Sequence, residues 1–285
     1  MLRIATHNVW NNIDNTPEWE KIGEDCSAVA RAPGHVKVYQ DTKPDIIGWQ
    51  ESRDIMLDSV LSGCAAEGMN YTAIWGRFTP ILYRADKLEL LENKFITYPE
   101  EIEGFDGIFN DMSSKSANIA VFRIKENGRI FVFTTTHLWW KRNDESTRVN
   151  DPRSYQIGSD EAREKQMEML IGAVNAYRDK YGCPSIIVGD LNTVYNSKAV
   201  KFALANGYSH AHDIATDFSD NEAGYHYCFP WGFKREYSKG GFAYAIDHIL
   251  VSGARADAVK RFERFSPEYY YTVSDHSEAF IDIEL

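Results

Sequence analysis

The sequence lacks several features that would assign it to a particular class of protein. Its four cysteines are widely spaced with no CxxC pair, which argues against a zinc cluster or a redox motif and favours reduced, structural thiols. No apolar run approaches the roughly 18 residues that span a bilayer. No secretory signal precedes the strand-like run from Leu2, so a cytoplasmic protein is expected, or a secreted one if a signal peptide has been removed.

Positively charged residues are outnumbered by negatively charged ones. The chain has 31 Lys and Arg residues against 42 Asp and Glu residues, for a formal net charge of -11. A general binder of nucleic acid usually presents a basic surface to the phosphates. The composition therefore disfavours long duplex DNA as a partner, although a bound divalent cation can reverse the local charge and admit a phosphate substrate.

The chain shows no internal repeat, no low-complexity tract and no linker that would separate two domains, so a single domain over residues 1–285 is predicted. The clearest amphipathic helix lies at 158–180, with acidic residues in its first turn and an apolar face. Segments 18–40, 52–68 and 197–206 are also predicted to be helical.

Strand-like runs alternate with these helices. They are RIATHNVW, PDIIGWQE, YTAIWG, TPILYRAD, LELLENKFITY, NIAVFRIKE, RIFVFTTTHL, CPSIIVGDLN, AYAIDHILVS and SEAFIDIEL. Asn127-Gly128 predicts a hairpin turn between two of the runs. Hairpins mixed with strand–helix–strand units indicate an α/β protein with mixed sheets covered by helices.

Polar side chains that can bind a metal or move a proton recur at the trailing ends of these strands. They are Asn8, Glu51, His137, Asp190, Asn192, Asp247, His248, Asp275 and His276. Each signal is weak alone, since GD-x-N also forms turns and a lone strand-end histidine is more often structural. Strand ends that converge on one rim would bring the whole set together, and the set predicts an active site.

In chain order, THNVW, WQES, TTHL, GDLN, AIDHIL and SDHSEA resemble the motifs of the endonuclease/exonuclease/phosphatase superfamily, over residues 8–280. The resemblance implies a DNase I-like, four-layered α/β/β/α sandwich with two central mixed sheets flanked by helices. It also implies hydrolysis of a phosphoester with Mg²⁺ or Mn²⁺. Carboxylate and amide oxygens are the ligands that suit Mg²⁺, whereas zinc would favour more histidine or thiol.

The resemblance also implies a role for each site residue. Metal ligation falls to Glu51, with Asn8 and Asp275. Asp190 would orient or deprotonate the attacking water, and Asn192 would donate to a nonbridging oxygen. Asp247 would orient His276.

His137 would contact the phosphate or protonate the leaving oxygen. In the DNase I branch the equivalent histidine is paired with a carboxylate, and segment 76–84 offers none. A role as a phosphate hydrogen-bond donor is therefore expected for His137. His248 is expected to face away from the site and to be structural.

Two segments are predicted to contact the organic part of a substrate. Trp139 and Lys141, with their neighbours Trp140 and Arg142, can stack on a base or sugar and neutralise a phosphate, although one tryptophan is expected to anchor the loop. His226, within 224–244, is predicted to line the same pocket.

Three functions remain open on the sequence. The leading hypothesis is a Mg²⁺-dependent phosphoesterase, favoured as a phosphodiesterase over a monoesterase, that acts as a monomer on a nucleotide-type or other organic phosphate. The alternative within the enzymes is a DNA or RNA nuclease. A catalytically silent binding module is disfavoured, because such a protein is expected to lose ligands and none of the core positions is missing.

Overall fold

The computed structural model describes residues 1–218, 245–265 and 267–285, which contain 13 strands and seven α-helices. The strands are β1 (Leu2–Asn8), β2 (Ile46–Gln50), β3 (Tyr71–Ile74), β4 (Ile81–Arg84), β5 (Leu88–Thr97), β6 (Ser116–Ile124), β7 (Ile130–His137), β8 (Ser185–Asp190), β9 (Tyr208–His210), β10 (Asp217–Phe218), β11 (Asp247–Ser252), β12 (Val259–Phe265) and β13 (Glu278–Ile283). The helices are α1 (Pro17–Glu20), α2 (Ala28–Thr42), α3 (Asp54–Ala66), α4 (Glu145–Asn150), α5 (Ser159–Tyr181), α6 (Lys198–Ala205) and α7 (Ala211–Ile214), with short 3-10 turns at Pro152–Ser154 and Glu268–Thr272.

The strands form two mixed sheets. The seven-stranded sheet has the order β10-β12-β13-β1-β2-β4-β3, and the six-stranded sheet has the order β5-β6-β7-β8-β11-β9. Each sheet has a parallel pair in its middle, β1 with β2 and β7 with β8. Because α2 and α5 lie in the two connections, the carboxyl ends of both strands of each pair lie at the same edge of their sheet.

Three apolar layers hold the sandwich together. The central layer, with Ile4, Phe133 and Ile281 among its members, lies between the two sheets. The outer layers lie between the seven-stranded sheet and α2 and α3, and between the six-stranded sheet and α5 and α6. The predicted α/β/β/α sandwich is therefore confirmed.

A glycine lets the two sheets approach closely. A Cβ atom at Gly48 in β2 would lie 2.6 Å from side-chain atoms of both Thr135 and Val188 in the opposite sheet. At the same level, the Thr135 hydroxyl donates to the carbonyl of Trp49 (3.1 Å) and accepts from Gln50 Nε2 (2.9 Å). Hydrogen bonds thus join the sheets just below the rim where β2 ends.

Some elements differ from the sequence-based prediction. The single helix predicted at 18–40 is two helices, α1 and α2, separated by residues 21–27. The helices at 52–68, 158–180 and 197–206 are confirmed with small changes at their ends, as is the hairpin between β6 and β7 at Asn127-Gly128. The sequence did not predict β12.

Candidate active site

The polar strand ends of both sheets meet at one rim. Ligand atoms of Glu51, His137 and Asp190 lie within 4.8 Å of one another, and so do those of Asp190, Asp247 and His276. Asp190 belongs to both groups. It therefore marks the centre of the site.

The six-stranded sheet places Asp190 between two other site residues. In the strand register, Asp190 pairs with His137 on β7 and with Asp247 on β11. Asp190 Oδ2 lies 3.5 Å from His137 Nε2 and 3.9 Å from His276 Nε2. It also accepts a hydrogen bond from Asn8 Nδ2 at 3.0 Å, which links this carboxylate to the other sheet.

The backbone around Asp190 needs a glycine and a left-handed turn. Gly189 has φ +152, and a Cβ there would lie 2.0 Å from the carbonyl oxygen of Thr136. Asn192 has φ 51, and its backbone N–H donates to Asp190 Oδ1 at 2.8 Å. The Asn192 side-chain amide donates to the carbonyl of Leu138 at 3.0 Å, so one of its two N–H groups is already used.

Asp247 and His276 form the predicted pair. His276 Nδ1 donates to Asp247 Oδ2 at 2.8 Å. Burial lowers the pKa of His276, but the carboxylates of Asp247 and Asp190 outweigh it and raise that pKa well above its ordinary value. Burial raises the pKa of Asp247, but the charge and hydrogen bond of His276 lower it below its ordinary value. We therefore describe the pair as an imidazolium beside a carboxylate.

Burial has the larger effect on Asp190, which has the charged ring of His276 only at 3.9 Å, and that charge lowers its pKa less than burial raises it. Burial raises the pKa of Asp190 to about 7, and the negative charge of Asp247 adds to this. A carboxyl with a pKa near neutrality can exchange a proton with water at working pH.

The seven-stranded sheet supplies the three predicted metal ligands. Glu51 follows β2 in a left-handed conformation (φ 60), and its Oε2 accepts from the backbone N–H of Asn11 at 3.0 Å. Its Oε1 lies 3.9 Å from His137 Nε2. Burial, with the charge of Glu51 nearby, raises the pKa of Asp275 to about 6. The Asn8 side-chain oxygen accepts from the backbone of Trp10 at 3.0 Å, which leaves it a second lone pair.

This set of donors fits a divalent cation. Carboxylate and amide oxygens dominate, with one imidazole beside them, and hard cations prefer such oxygen ligands. The buried carboxyls at the rim also place several negative charges close together, which a cation would offset.

The guanidinium of Arg31 fixes the loops that carry these ligands. It donates to five backbone carbonyls, those of Val9, Trp10, Asn12, Cys26 and Val273, at 2.8 to 2.9 Å. In addition, the Ser274 hydroxyl donates to the carbonyl of Asn8 at 2.6 Å. The loop after β1 and the loop before Asp275 are thus tied to each other.

Lys115 is a site residue that the sequence analysis missed. Its buried ammonium, directly before β6, donates to Nε2 of His137 at 2.8 Å. Burial, with the charge of Lys115, lowers the pKa of His137 well below its ordinary value, so the ring is neutral. Burial also lowers the pKa of Lys115, while Glu51 and Asp190 oppose this shift. The sequence SSKSAN around Lys115 matches no motif that would have indicated it.

The predicted substrate contacts have different outcomes. Trp139 is 2% exposed and packs against Phe109, so it anchors the loop, whereas Trp140 is 36% exposed. Lys141 Nζ lies 5.6 Å from the centre of the Trp140 ring. His226 lies outside the described residues. His248 is buried, and its ring lies 2.8 Å from His210 and 2.7 Å from the carbonyl of Thr193, as expected for a structural residue.

A cavity of about 360 Å³ opens next to Ser52, the residue that follows Glu51 in the chain. It is lined by Ser52, Arg53, Asp54, Trp75, Arg77, Phe78 and Met112. Trp75 is 63% exposed, and Arg77 and Met112 both have positive φ. Within the described part of the chain, neither Arg53 nor Arg77 makes an ion pair. Residues with strained backbone, such as Arg77 and Met112, are common at binding sites.

An α/β/β/α sandwich with this centre at its rim defines a class, the metal-dependent hydrolases of phosphate ester bonds. The chain belongs to the endonuclease/exonuclease/phosphatase family, whose sequence profile matches residues 5–276. Members of this family generally use a divalent metal.

Solved structures of low sequence identity share the fold. The mannosyl-6-phosphatase of Bacteroides thetaiotaomicron is 18% identical, with a TM-score of 0.75 and full coverage of both chains (100% each). The human Nocturnin catalytic domain with bound sulfate is 16% identical, with a TM-score of 0.64 over 99% of this chain and 93% of its own. D. rerio TDP2 complexed with a single-strand DNA product is 15% identical, with a TM-score of 0.62 over 100% of this chain and 99% of its own.

No curated protein sequence matches the chain. Among the described residues, no helix has both the length and the apolar character needed to cross a membrane.

Proposed function

We propose that the chain hydrolyses a phosphoester of a nucleotide-type or other organic phosphate in the presence of Mg²⁺ or Mn²⁺, with a water molecule activated by Asp190. The observation that carries this proposal is the position of Asp190. One carboxylate contacts the amide of Asn8 from one sheet and faces His137 and His276 at 3.5 and 3.9 Å. A carboxylate that lies where the two sheets meet can contact a water molecule and the phosphate at the same time.

Glu51, Asn8 and Asp275 would hold the cation. When bound, the cation supplies Lewis-acid stabilisation to the phosphoryl oxygens and to the leaving oxygen. The oxygen-rich donor set at the end of β1 and β2 supports a hard ion such as Mg²⁺ over zinc.

The remaining residues act on the water and on the phosphate. Asp190 accepts the proton of the attacking water, and the charged His276, held by Asp247, donates a hydrogen bond to the phosphoryl group. Because His137 Nε2 accepts from Lys115, the ammonium of Lys115 supplies the N–H groups on that side of the phosphate. His137 then orients the ammonium of Lys115 toward the carboxylates of Glu51 and Asp190.

An assay on two aryl phosphates and a nucleic-acid panel tests the proposal. Bis-p-nitrophenyl phosphate, p-nitrophenyl phosphate and the panel are offered with Mg²⁺ or Mn²⁺. We expect Asp190→Asn to lower kcat by about 10³-fold or more, because it removes the proton acceptor. Asp58→Asn, at an exposed position on α3, is the control. Full activity of Asp190→Asn would refute the assignment.

A nuclease acting on single strands is the second candidate, and the cavity lined by Ser52 and Arg53 favours it. Arg53 and Arg77 can contact phosphates there, and the exposed ring of Trp75 can stack on a base. The single-strand DNA bound to D. rerio TDP2 is consistent with this use of the fold, while the mannosyl-6-phosphatase supports a phosphomonoester.

Salt dependence separates these candidates. Binding of a single strand should weaken with added salt, with a slope that falls by about 1 to 2 in the double variant Arg53→Gln/Arg77→Gln. A small organic phosphate contacts fewer cations and should show a weak slope that the double variant does not change.

A further inference from the structure

The three segments that carry the predicted metal ligands share a second, buried connection. Asn8 ends β1, Glu51 follows β2, and Asp275 follows the 3-10 turn at Glu268–Thr272. Close to each ligand in sequence is a buried ring that points away from the rim, toward α2. These rings are His7, Trp49 and Tyr270.

A tyrosine of α2 joins the three rings into one chain of hydrogen bonds. Trp49 Nε1 donates to the hydroxyl of Tyr39 at 2.6 Å. That hydroxyl lies 2.9 Å from Nδ1 of His7, and Nε2 of His7 lies 2.5 Å from the hydroxyl of Tyr270. All four side chains are 0% exposed. We call this chain the Trp49–Tyr270 relay.

The chemistry of the donors gives the relay a direction. An indole can only donate, so the oxygen of Tyr39 accepts from Trp49. If His7 also donated to Tyr39, the hydroxyl hydrogen of Tyr39 would find no acceptor among the described residues, which is costly in a buried site. Tyr39 therefore donates to Nδ1 of His7, and Nε2–H of His7 donates to Tyr270.

We propose that the Trp49–Tyr270 relay positions the segment bearing Asp275 against the strand ends bearing Asn8 and Glu51, at the separation that a divalent cation requires. This inference rests on the proposed function, since it assigns the cation to those three residues. Removing one hydroxyl interrupts a chain that begins at Trp49 in β2 and ends at Tyr270 in the 3-10 turn before Asp275. The segment that bears Asp275 could then shift relative to Asn8 and Glu51, which the pairing of β1 with β2 keeps together.

Binding of Mn²⁺ to the full chain, measured by the electron paramagnetic resonance of free Mn²⁺, tests the relay without relying on activity. We expect Tyr39→Phe and Tyr270→Phe each to weaken Mn²⁺ affinity by about tenfold, at the low end of the effect of groups that orient metal ligands. Because both break the same chain, the double variant should also lose about tenfold and not about a hundredfold.

Tyr208→Phe is the matched control. Tyr208 is a buried tyrosine with a hydroxyl 2.9 Å from Ser185 Oγ, at the opposite end of β8 from Asp190. A purely structural role for the relay would lower the melting temperature of all three single variants and leave their Mn²⁺ affinities equal to that of the wild type.

The outcomes distinguish the inference from the proposed function. Wild-type affinity in both relay variants, or independent losses that multiply in the double variant, would overturn the relay alone. If the wild type itself bound no Mn²⁺, the proposed function would fail and the relay with it. Should Tyr39→Phe fail to fold, the Mn²⁺ affinity of Tyr270→Phe decides the question, because that substitution removes only the last hydroxyl of the relay.

Discussion

Glu278, at the start of β13, provides a prediction about stability and pH. Its side chain is completely buried, and burial raises its pKa from an ordinary 4.5 to about 8, against smaller opposite effects of the Thr42 hydroxyl and the charge of Arg3. A carboxyl whose pKa is raised in the folded chain holds its proton more tightly there than in the unfolded chain. It therefore favours the folded state fully below the unfolded pKa, and this contribution is lost as the pH rises through the folded pKa.

The magnitude follows from the size of the shift. Each pKa unit corresponds to about 1.4 kcal/mol, so raising the pH from about 5 to about 8 should cost the wild type about 3 to 4 kcal/mol through this one group. That is a large fraction of the roughly 5 to 15 kcal/mol that stabilises a typical domain. Glu278→Gln removes the ionisation and should remove this part of the pH dependence.

Urea unfolding at about pH 5, 6, 7 and 8 measures the effect. As the pH rises from about 5 to about 8, the free energy of unfolding of the wild type should fall by about 3 kcal/mol relative to that of Glu278→Gln. Asp190 and Asp275 also have raised pKa values, but both proteins share them, so the difference isolates Glu278. Glu89→Gln, exposed on β5, is the control. A parallel pH dependence in wild type and Glu278→Gln would refute the reasoning.

Three further substitutions test the site and its support. Lys115→Met should lower kcat/KM by about 10²-fold in a phosphatase assay without lowering the melting temperature, because it removes a buried cation beside His137 and keeps its volume. Arg31→Lys should lower the free energy of unfolding by about 3 kcal/mol in urea, because an ammonium cannot serve five carbonyls at once. Gly189→Ala should destabilise by about 2 kcal/mol or more, because the new Cβ would lie 2.0 Å from the carbonyl of Thr136.

Matched variants show what would contradict these expectations. Gly172→Ala in α5, where an added Cβ meets nothing within 4 Å, should be neutral or slightly stabilising, and an equal effect at Gly189 would exclude the close contact. Arg123→Lys on β6, whose half-exposed side chain pairs with Glu89, should change stability little, so an equally small effect of Arg31→Lys would count against the role of Arg31. Unchanged kcat/KM in Lys115→Met would remove Lys115 from the site.

The sequence predicted the parts of the fold that have strong periodic or turn signals. The amphipathic pattern of α5 predicts a helix, and Asn127-Gly128 predicts a hairpin turn. The structure contains both. By contrast, β12 reads VKRFERF, with four charged residues in seven, and is a strand because it pairs with β13. Local sequence carries little information about such tertiary pairing.

The candidate site likewise includes residues that the sequence indicated and residues that depend on tertiary contacts. Glu51, Asp190 and His276 lie in short motifs at strand ends, and the resemblance indicated them as candidate site residues without coordinates. Lys115 belongs to no motif, and only the pairing of Ser116 with His137 brings its ammonium to the histidine. The distinction between the two tryptophans after His137 likewise depends on packing against Phe109, which is distant in sequence.

The contact at Gly48, where Thr135 and Val188 meet the bare backbone of β2, has a consequence for how the catalytic apparatus can change. Glu51 and Asp190 are anchored to different sheets, so a slide of one sheet by a single residue, about 3.3 Å, would disassemble the chemistry altogether. A tightly seated pair of sheets prevents that slide. Loops around the site can then be exchanged or lengthened to bind new substrates, while the distance between Glu51 and Asp190 stays the same.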